Sequence, residues 1–270
     1  MDKKIGFIGC GKMAQAMIAG MVRSELIAPD NIIVSSRTVE TLEQAVMKYG
    51  VRPAETNKKA AQGADILFLG ITPELHASVI EDIKEDVREN TVIVTIAAGL
   101  STQKMTSLFD KNVKVVRSMP NTPSLAGAGM SALCANEWVT SGELDAVLDL
   151  FQSFGKVEVI SEELMDAIPA ISGSSPAYVY MMIEAMADGG VKQGLKRDQA
   201  YRLAAQAVYG AAKMVLDTEL HPGVLKDQVC SPGGATIEAV SALEKEGFRS
   251  AILHAMESCT DKVKDLGKDN

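Results

Sequence analysis

The run Ile5-Gly-Phe-Ile8-Gly9-Cys-Gly11-Lys12-Met13-Ala14 constrains the chain more than any other stretch. A short apolar strand ends in a glycine turn, and Met13, Met17, Ile18, Met21 and Val22 then mark one face of a helix. Strand, glycine turn and helix in that order make the Gly-x-Gly-x-x-Gly/Ala fingerprint of a dinucleotide site. Gly9 permits the tight turn, Gly11 lets a pyrophosphate approach the backbone, Lys12 and Met13 open the helix at its positive end, and Ala14 allows close helix packing.

The alternation continues through the first half. Ile32-Ile-Val-Ser35 reads as a strand, and Leu42, Ala45, Val46 and Tyr49 mark a helix. Asp65–Leu69, Thr91–Ile96 and Val113–Val116 follow as further strands. Apolar strands separated by helices predict a doubly wound, Rossmann-like parallel sheet covered on both faces. Ligands of such sheets sit beyond the carboxyl ends of the strands. Three loops meet that description: Gly70-Ile-Thr72-Pro73, Ala97-Ala-Gly99 and Arg117-Ser-Met119-Pro120-Asn121-Thr-Pro123. Ordinary turn chemistry would explain the same prolines. Strand two ends in Ser35-Ser36-Arg37 with no acid to hold a ribose 2′-hydroxyl, which favours a 2′-phosphate and so NADPH over NADH, with NADH still possible. The plainer alternative is that Arg37 is a solvated loop cation.

After Val157-Glu-Val-Ile160 the strand pattern stops. The expected division is a dinucleotide-binding domain over 1–161 and an all-helical domain over 162–270. Pro176 begins a helix striped by Tyr178, Val179, Met182, Ile183, Met186 and Ala187, and a second from about Asp198 to Asp217 carries Leu203, Ala207, Val208, Ala211, Met214 and Val215. Helices this apolar in so small a half predict a homodimer or a higher homo-oligomer of dimers, the alternative being one compact monomeric bundle. The formal net charge of −8 argues against nucleic acid, and no apolar run reaches the length of a membrane span. Cys10, Cys134, Cys230 and Cys259 lie far apart with no metal-ligand spacing, so they read as reduced thiols in a cytoplasmic protein without a metal site. His76, His221 and His254 lack catalytic or metal partners and are read as structural.

Leu225-Lys-Asp-Gln-Val-Cys-Ser231-Pro-Gly233-Gly234-Ala235-Thr236-Ile-Glu-Ala-Val240 is the other informative stretch. Ser231-Pro232-Gly233-Gly234 cannot continue a helix, yet Ile237, Val240 and Leu243 resume helical spacing. The N–H groups of Gly234, Ala235 and Thr236 would then face outward at the positive end of a helix, a site for a small carboxylate or phosphate, with the Thr236 hydroxyl at its edge. A glycine turn with Thr236 as N-cap is the bland account.

The whole run resembles the signature segment of pyrroline-5-carboxylate reductases, which make proline by reducing a cyclic imine, and the resemblance extends from Gly9 to Arg249. It implies a small imino-acid substrate and a site completed across a dimer. It places Met119–Pro123 beside the nicotinamide and Asn57 near the adenosine ribose. It puts Ser174, within Ser172-Gly-Ser-Ser-Pro-Ala-Tyr178, and Glu219 near the substrate. Two departures stand out: Ser175 where the family has glycine, and Thr72-Pro73 where it often has Lys-Pro. A positive φ at 175 would make serine costly by about 1 kcal/mol, whereas a close approach there would narrow the pocket slightly.

No lysine or histidine is offered as proton donor. A ketone would suffer from that lack, because hydride addition leaves an alkoxide. A protonated imine already accepts hydride and leaves a neutral amine, so positioning is enough. Two rivals remain: a β-hydroxyacid-type dehydrogenase, whose family carries a catalytic lysine on the helix entering the second half, whereas Ser172–Val191 has none, and a non-catalytic NADPH-binding regulator, which could lose the Gly-Gly-Ala-Thr loop.

Overall fold

The structure is a computed structural model that describes residues 1–269, with side chains through Gly267. Two compact units divide it: Met1–Ser174 together with the chain from Cys259 onward, and Ser175–Ser258.

In the first unit β1 (Ile5–Ile8), α1 (Lys12–Arg23), β2 (Ile32–Ser35), α2 (Val39–Tyr49), β3 (Arg52–Pro53), α3 (Asn57–Gly63) and β4 (Ile66–Leu69) follow one another. Then come α4 (His76–Ile83), β5 (Val92–Thr95), α5 (Thr102–Phe109), β6 (Lys114–Met119), β7 (Gly129–Ala135), α6 (Ser141–Gln152) and β8 (Gly155–Val159). One sheet runs β3-β2-β1-β4-β5-β6-β7-β8. All neighbours are parallel except β6 and β7. The expected Rossmann-like parallel sheet is present, with the one antiparallel neighbour not announced by the sequence. Gly129-Met-Ser-Ala-Leu-Cys-Ala135 has neither alternation nor β-branched residues to announce a strand, and β3 is a two-residue edge piece ending in proline.

β1 pairs Ile5 with Ile32 on one side and with Ile66 on the other, so the strand order reverses beside it. Crevices at such a reversal hold ligands. Strand side chains alternate between two cores. Phe7, Phe68, Phe151 and Phe154 form a continuous ring contact on the face of α1 and α6, with successive centroids at 4.7, 6.0 and 5.2 Å. Ile8, Leu67, Leu69 and Ile93 meet Ile80, Ile83, Met105 and Phe109 of α4 and α5 on the other. Each such buried side chain contributes about 1.5–3 kcal/mol.

The unit continues past Ser161, where the sequence places the division. Glu162 accepts hydrogen bonds from the Thr102 N–H at 2.6 Å and the Thr102 hydroxyl at 2.5 Å. Asp166 pairs with Arg117, and Met165 is buried against Met119, Ala132 and Cys134. Side-chain chemistry invisible to strand periodicity therefore ties residues 162–174 to the sheet.

The second unit contains α7 (Ser175–Lys192), α8 (Arg197–Thr218), α9 (Pro222–Val229), α10 (Ala235–Lys245) and the start of α11 (Phe248–Asp269). α8 begins and ends within a residue of the expected Asp198 and Asp217. Only Ala187, Ala200 and Ala204 of residues 175–258 are buried, whereas Met181 is 70% and Leu203 60% exposed. Three alanines make no core, so these faces need covering by protein, as the expected dimer requires. Met181→Glu combined with Leu203→Glu is expected to dissociate the oligomer in sedimentation velocity; an unchanged sedimentation coefficient would remove these faces from the interface.

Candidate active site

At the end of β1 the backbone of Gly9 is left-handed, with φ +90°, and a Cβ there would lie 2.5 Å from the Gly70 carbonyl oxygen. The Gly9 N–H donates to Ser35 O at 3.0 Å and that of Gly70 to Ile8 O at 2.8 Å, which ties the turns after β1 and β4 and the end of β2 together. Gln15 Nε2 holds the Cys10 carbonyl at 3.1 Å. Gly11 caps α1 without a side-chain hydrogen bond, no acid stands in the first turn, and a Cβ on Gly11 would meet nothing within 4 Å. The N–H groups of Lys12 and Met13 find no acceptor among the described residues. An open helix N-terminus of this kind accepts a pyrophosphate.

Ser35 Oγ donates to Asn57 Oδ1 at 2.8 Å, bringing α3 to the end of β2. Ser36 is half-buried and Arg37 is exposed. The turn after β4 carries Thr72 and Pro73. The Thr72 hydroxyl holds the exposed Glu74 carboxyl below the usual carboxylate range. Buried His76 spans from the Thr72 carbonyl to Thr95 Oγ1, 3.1 Å on each side, and Thr95 Oγ1 accepts from the Ala97 N–H at 3.2 Å. Gly99 has φ +77°. Met119, the last residue of β6, and Pro120 just after it are buried. Asn121, expected beside the cofactor, braces the loop: Nδ2 donates to Ser172 O and Oδ1 accepts from the Met130 N–H, both at 2.9 Å.

The sequence-expected cofactor residues thus gather at the carboxyl ends of β1, β2, β4, β5 and β6. Sequence reasoning missed His76 and Thr95. The four-residue spacing from Thr72 to His76 at a helix start was the available signal, since it sets the ring over the Thr72 carbonyl.

Of the expected substrate residues, Ser174 closes the sheet unit, with its N–H on Pro169 O at 2.6 Å and its hydroxyl accepting from Cys259 Sγ at 3.4 Å. Ser175 is not among the positive-φ residues, which outside glycine are Glu25, Asp110 and Glu219, so serine there carries no backbone strain. Glu219 ends α8 in the left-handed region with φ 55°. Ser231–Gly234 turns into α10. One expectation is corrected: the Gly234 N–H donates to Ser231 O at 3.0 Å and is not available, because the turn closes on itself. The N–H groups of Ala235 and Thr236 have no partner among the described residues, and Gly234 is α10's N-cap without a side-chain bond. Thr236 is the second residue past the cap, not the cap itself. A Cβ at 234 would lie 2.3 Å from Ser231 Oγ, so a larger residue there would have to turn the serine hydroxyl aside. His221 caps α9 by accepting from the Gly223 N–H at 3.0 Å, a structural role like that of His76.

A family model described as "Pyrroline-5-carboxylate reductase dimerisation" matches residues 162–266, and one described as "NADP oxidoreductase coenzyme F420-dependent" matches residues 4–99. The chain is 44% identical over 268 residues to the pyrroline-5-carboxylate reductase of Escherichia coli K12, covering 99% of this chain and 100% of that protein. The chain belongs to the pyrroline-5-carboxylate reductase family. The Methanosarcina acetivorans reductase is 38% identical over 267 residues, covering 99% of both proteins. Among solved structures, the Coxiella burnetii reductase superposes with a TM-score of 0.92 at 32% identity, covering 98% of this chain and 99% of that one. A Plasmodium falciparum pyrroline carboxylate reductase with NADP bound gives 0.90 at 32% identity, covering 98% of each. The part of this reductase-family chain that matches the dimerisation model includes the helices left without a core of their own.

Burial pushes the Cys10 thiol up to about 11 and that of Cys134 to about 12. A thiol that stays protonated is a poor nucleophile. Iodoacetamide at pH 8 is therefore expected to spare Cys10 and Cys134 in the native protein and to label all four cysteines in urea, as read by peptide mass spectrometry.

Proposed function

We propose that this protein reduces 1-pyrroline-5-carboxylate to L-proline with NADPH, the last step of proline synthesis, in the cytoplasm, as an oligomer built from dimers. The observation that carries the reading is the Ser231–Thr236 turn, which opens α10 with two unpartnered N–H groups in a chain related along its full length to such reductases. Four free cysteines agree with a reducing compartment. Among the described residues no helix is long and apolar enough to cross a membrane.

The residues at the strand ends fit NADP: α1 offers unpaired N–H groups under an open Gly11, and Ser36-Arg37 offers a cation where no carboxylate would repel a 2′-phosphate. When bound, the cofactor supplies hydride from its nicotinamide C4. Gly9, Gly11, Lys12 and Met13 hold the pyrophosphate; Ser36, Arg37 and Asn57 hold the adenosine half. Thr72, Pro73, Ala97, Gly99, Met119 and Pro120 wall the nicotinamide half, and Asn121 braces that wall.

The N–H groups of Ala235 and Thr236 hold the substrate carboxylate, with Ser231, Gly233 and Gly234 shaping the turn. Thr236 Oγ1 hydrogen-bonds the ring nitrogen, Ser174 and Glu219 border the substrate, and the helical unit of one copy serves the cofactor of another. The protonated imine carbon accepts hydride, and the amine product takes its proton from water. Orientation is what the protein contributes.

Thr236→Ala is expected to cut kcat/KM roughly 10- to 100-fold, about 1.5–3 kcal/mol for one charge-assisted hydrogen bond. Unchanged NADPH oxidation with the imine would take Thr236 out of the mechanism. For the cofactor, Arg37→Gln is expected to raise the KM for NADPH about tenfold while leaving that for NADH nearly unchanged. Equal effects on both would show that Arg37 does not read the phosphate.

A further inference from the structure

One buried side chain ties the turn after β4 to the end of β5. His76 is 1% exposed and Thr95 fully buried. The Thr72 carbonyl can only accept, so Nδ1 of His76 carries the hydrogen that reaches it at 3.1 Å. Nε2 is then bare and accepts from the Thr95 hydroxyl at 3.1 Å, whose oxygen in turn accepts from the Ala97 N–H at 3.2 Å. The Thr95 carbonyl accepts from Ser118 Oγ at 2.9 Å, one residue before Met119. Every polar atom of His76 and Thr95 in this chain of bonds has a partner, and burial lowers the pKa of the imidazole, which favours its neutral form.

We propose that His76 is a positioning residue that sets the spacing between the Thr72–Pro73 turn and the Ala97–Gly99 turn for NADPH. The inference rests on reading those turns as cofactor walls. Helix α4 is held to the core by Ile80 and Ile83, both fully buried, so the ring is not what docks the helix. Its bonds run to the turns. A leucine of similar bulk would fill the space but leave the Thr95 hydroxyl unaimed and the Thr72 carbonyl without its second donor, after Leu75 N–H at 3.1 Å.

The experiment is a fluorescence titration of NADPH onto the purified oligomer, beside thermal melting without cofactor. The panel is the unmodified protein, His76→Leu, His76→Gln, Thr95→Val and the His76→Leu/Thr95→Val pair. The expected result is a Kd raised roughly five- to tenfold in His76→Leu and in Thr95→Val, the scale of one lost hydrogen bond. The double variant should be no weaker than the weaker single, since both cut one link. His76→Gln, whose amide oxygen can still accept from Thr95, should recover a large part of the loss. Wild-type Kd values in His76→Leu and Thr95→Val would overturn the proposal. So would a His76→Gln variant no better than His76→Leu, with every Kd loss tracking the fall in Tm. If His76→Leu fails to fold, the isosteric Thr95→Val decides. An unmodified protein that binds no NADPH would overturn the cofactor reading and this role with it, whereas unmodified binding with unaffected variants removes only His76.

Discussion

The backbone of Gly9 passes the Gly70 carbonyl so closely that one methyl group would collide with it. This contact sits where the strand order reverses beside β1, and much else depends on it. It brings the turns after β1 and β4 together, starts α1 at the edge of the crevice, and leaves the helix N-terminus open. Only glycine meets both demands at position 9, the left-handed φ and the absent side chain.

Around that contact the carboxyl edge of the sheet is stiffened by buried polar ties. Asn121 joins its own loop to Ser172 and Met130, and Glu162 caps α5 through Thr102. Arg117, only 3% exposed, faces the carboxylates of Asp166 and Glu162. Removing one partner from such a cluster strands a buried charge or donor, which costs more than the bond itself contributes. Loops held this way keep a fixed geometry. A reaction that depends on orientation, with no group assigned as proton donor, needs such loops.

The helical unit shows the opposite economy. Its long helices leave Tyr180, Met181, Leu203 and Tyr209 largely exposed and bury only three alanines. Such a unit is completed by other protein surface, in keeping with the dimerisation model that matches it. Within it the Ser231–Gly234 turn spends its own Gly234 N–H on closing the turn, which leaves the next two amides free at the start of α10.

By itself the sequence determined the doubly wound first half, the glycine turn, the break before α10 and the all-helical second half. Each of these is a local signal: period-two or helical spacing, a glycine or a proline. The loops that the sequence singled out do lie at strand carboxyl ends, because strands running in one direction put those ends on one side of the sheet. Tertiary structure alone decided four things. β7 runs antiparallel, residues 162–174 stay with the sheet, the Asn121 amide ties its loop to Ser172 and Met130, and His76 joins two turns. All four depend on partners far away along the chain, such as Cys134 opposite Arg117 and Thr95 opposite His76. Pairings of that kind leave no periodicity for a sequence to show.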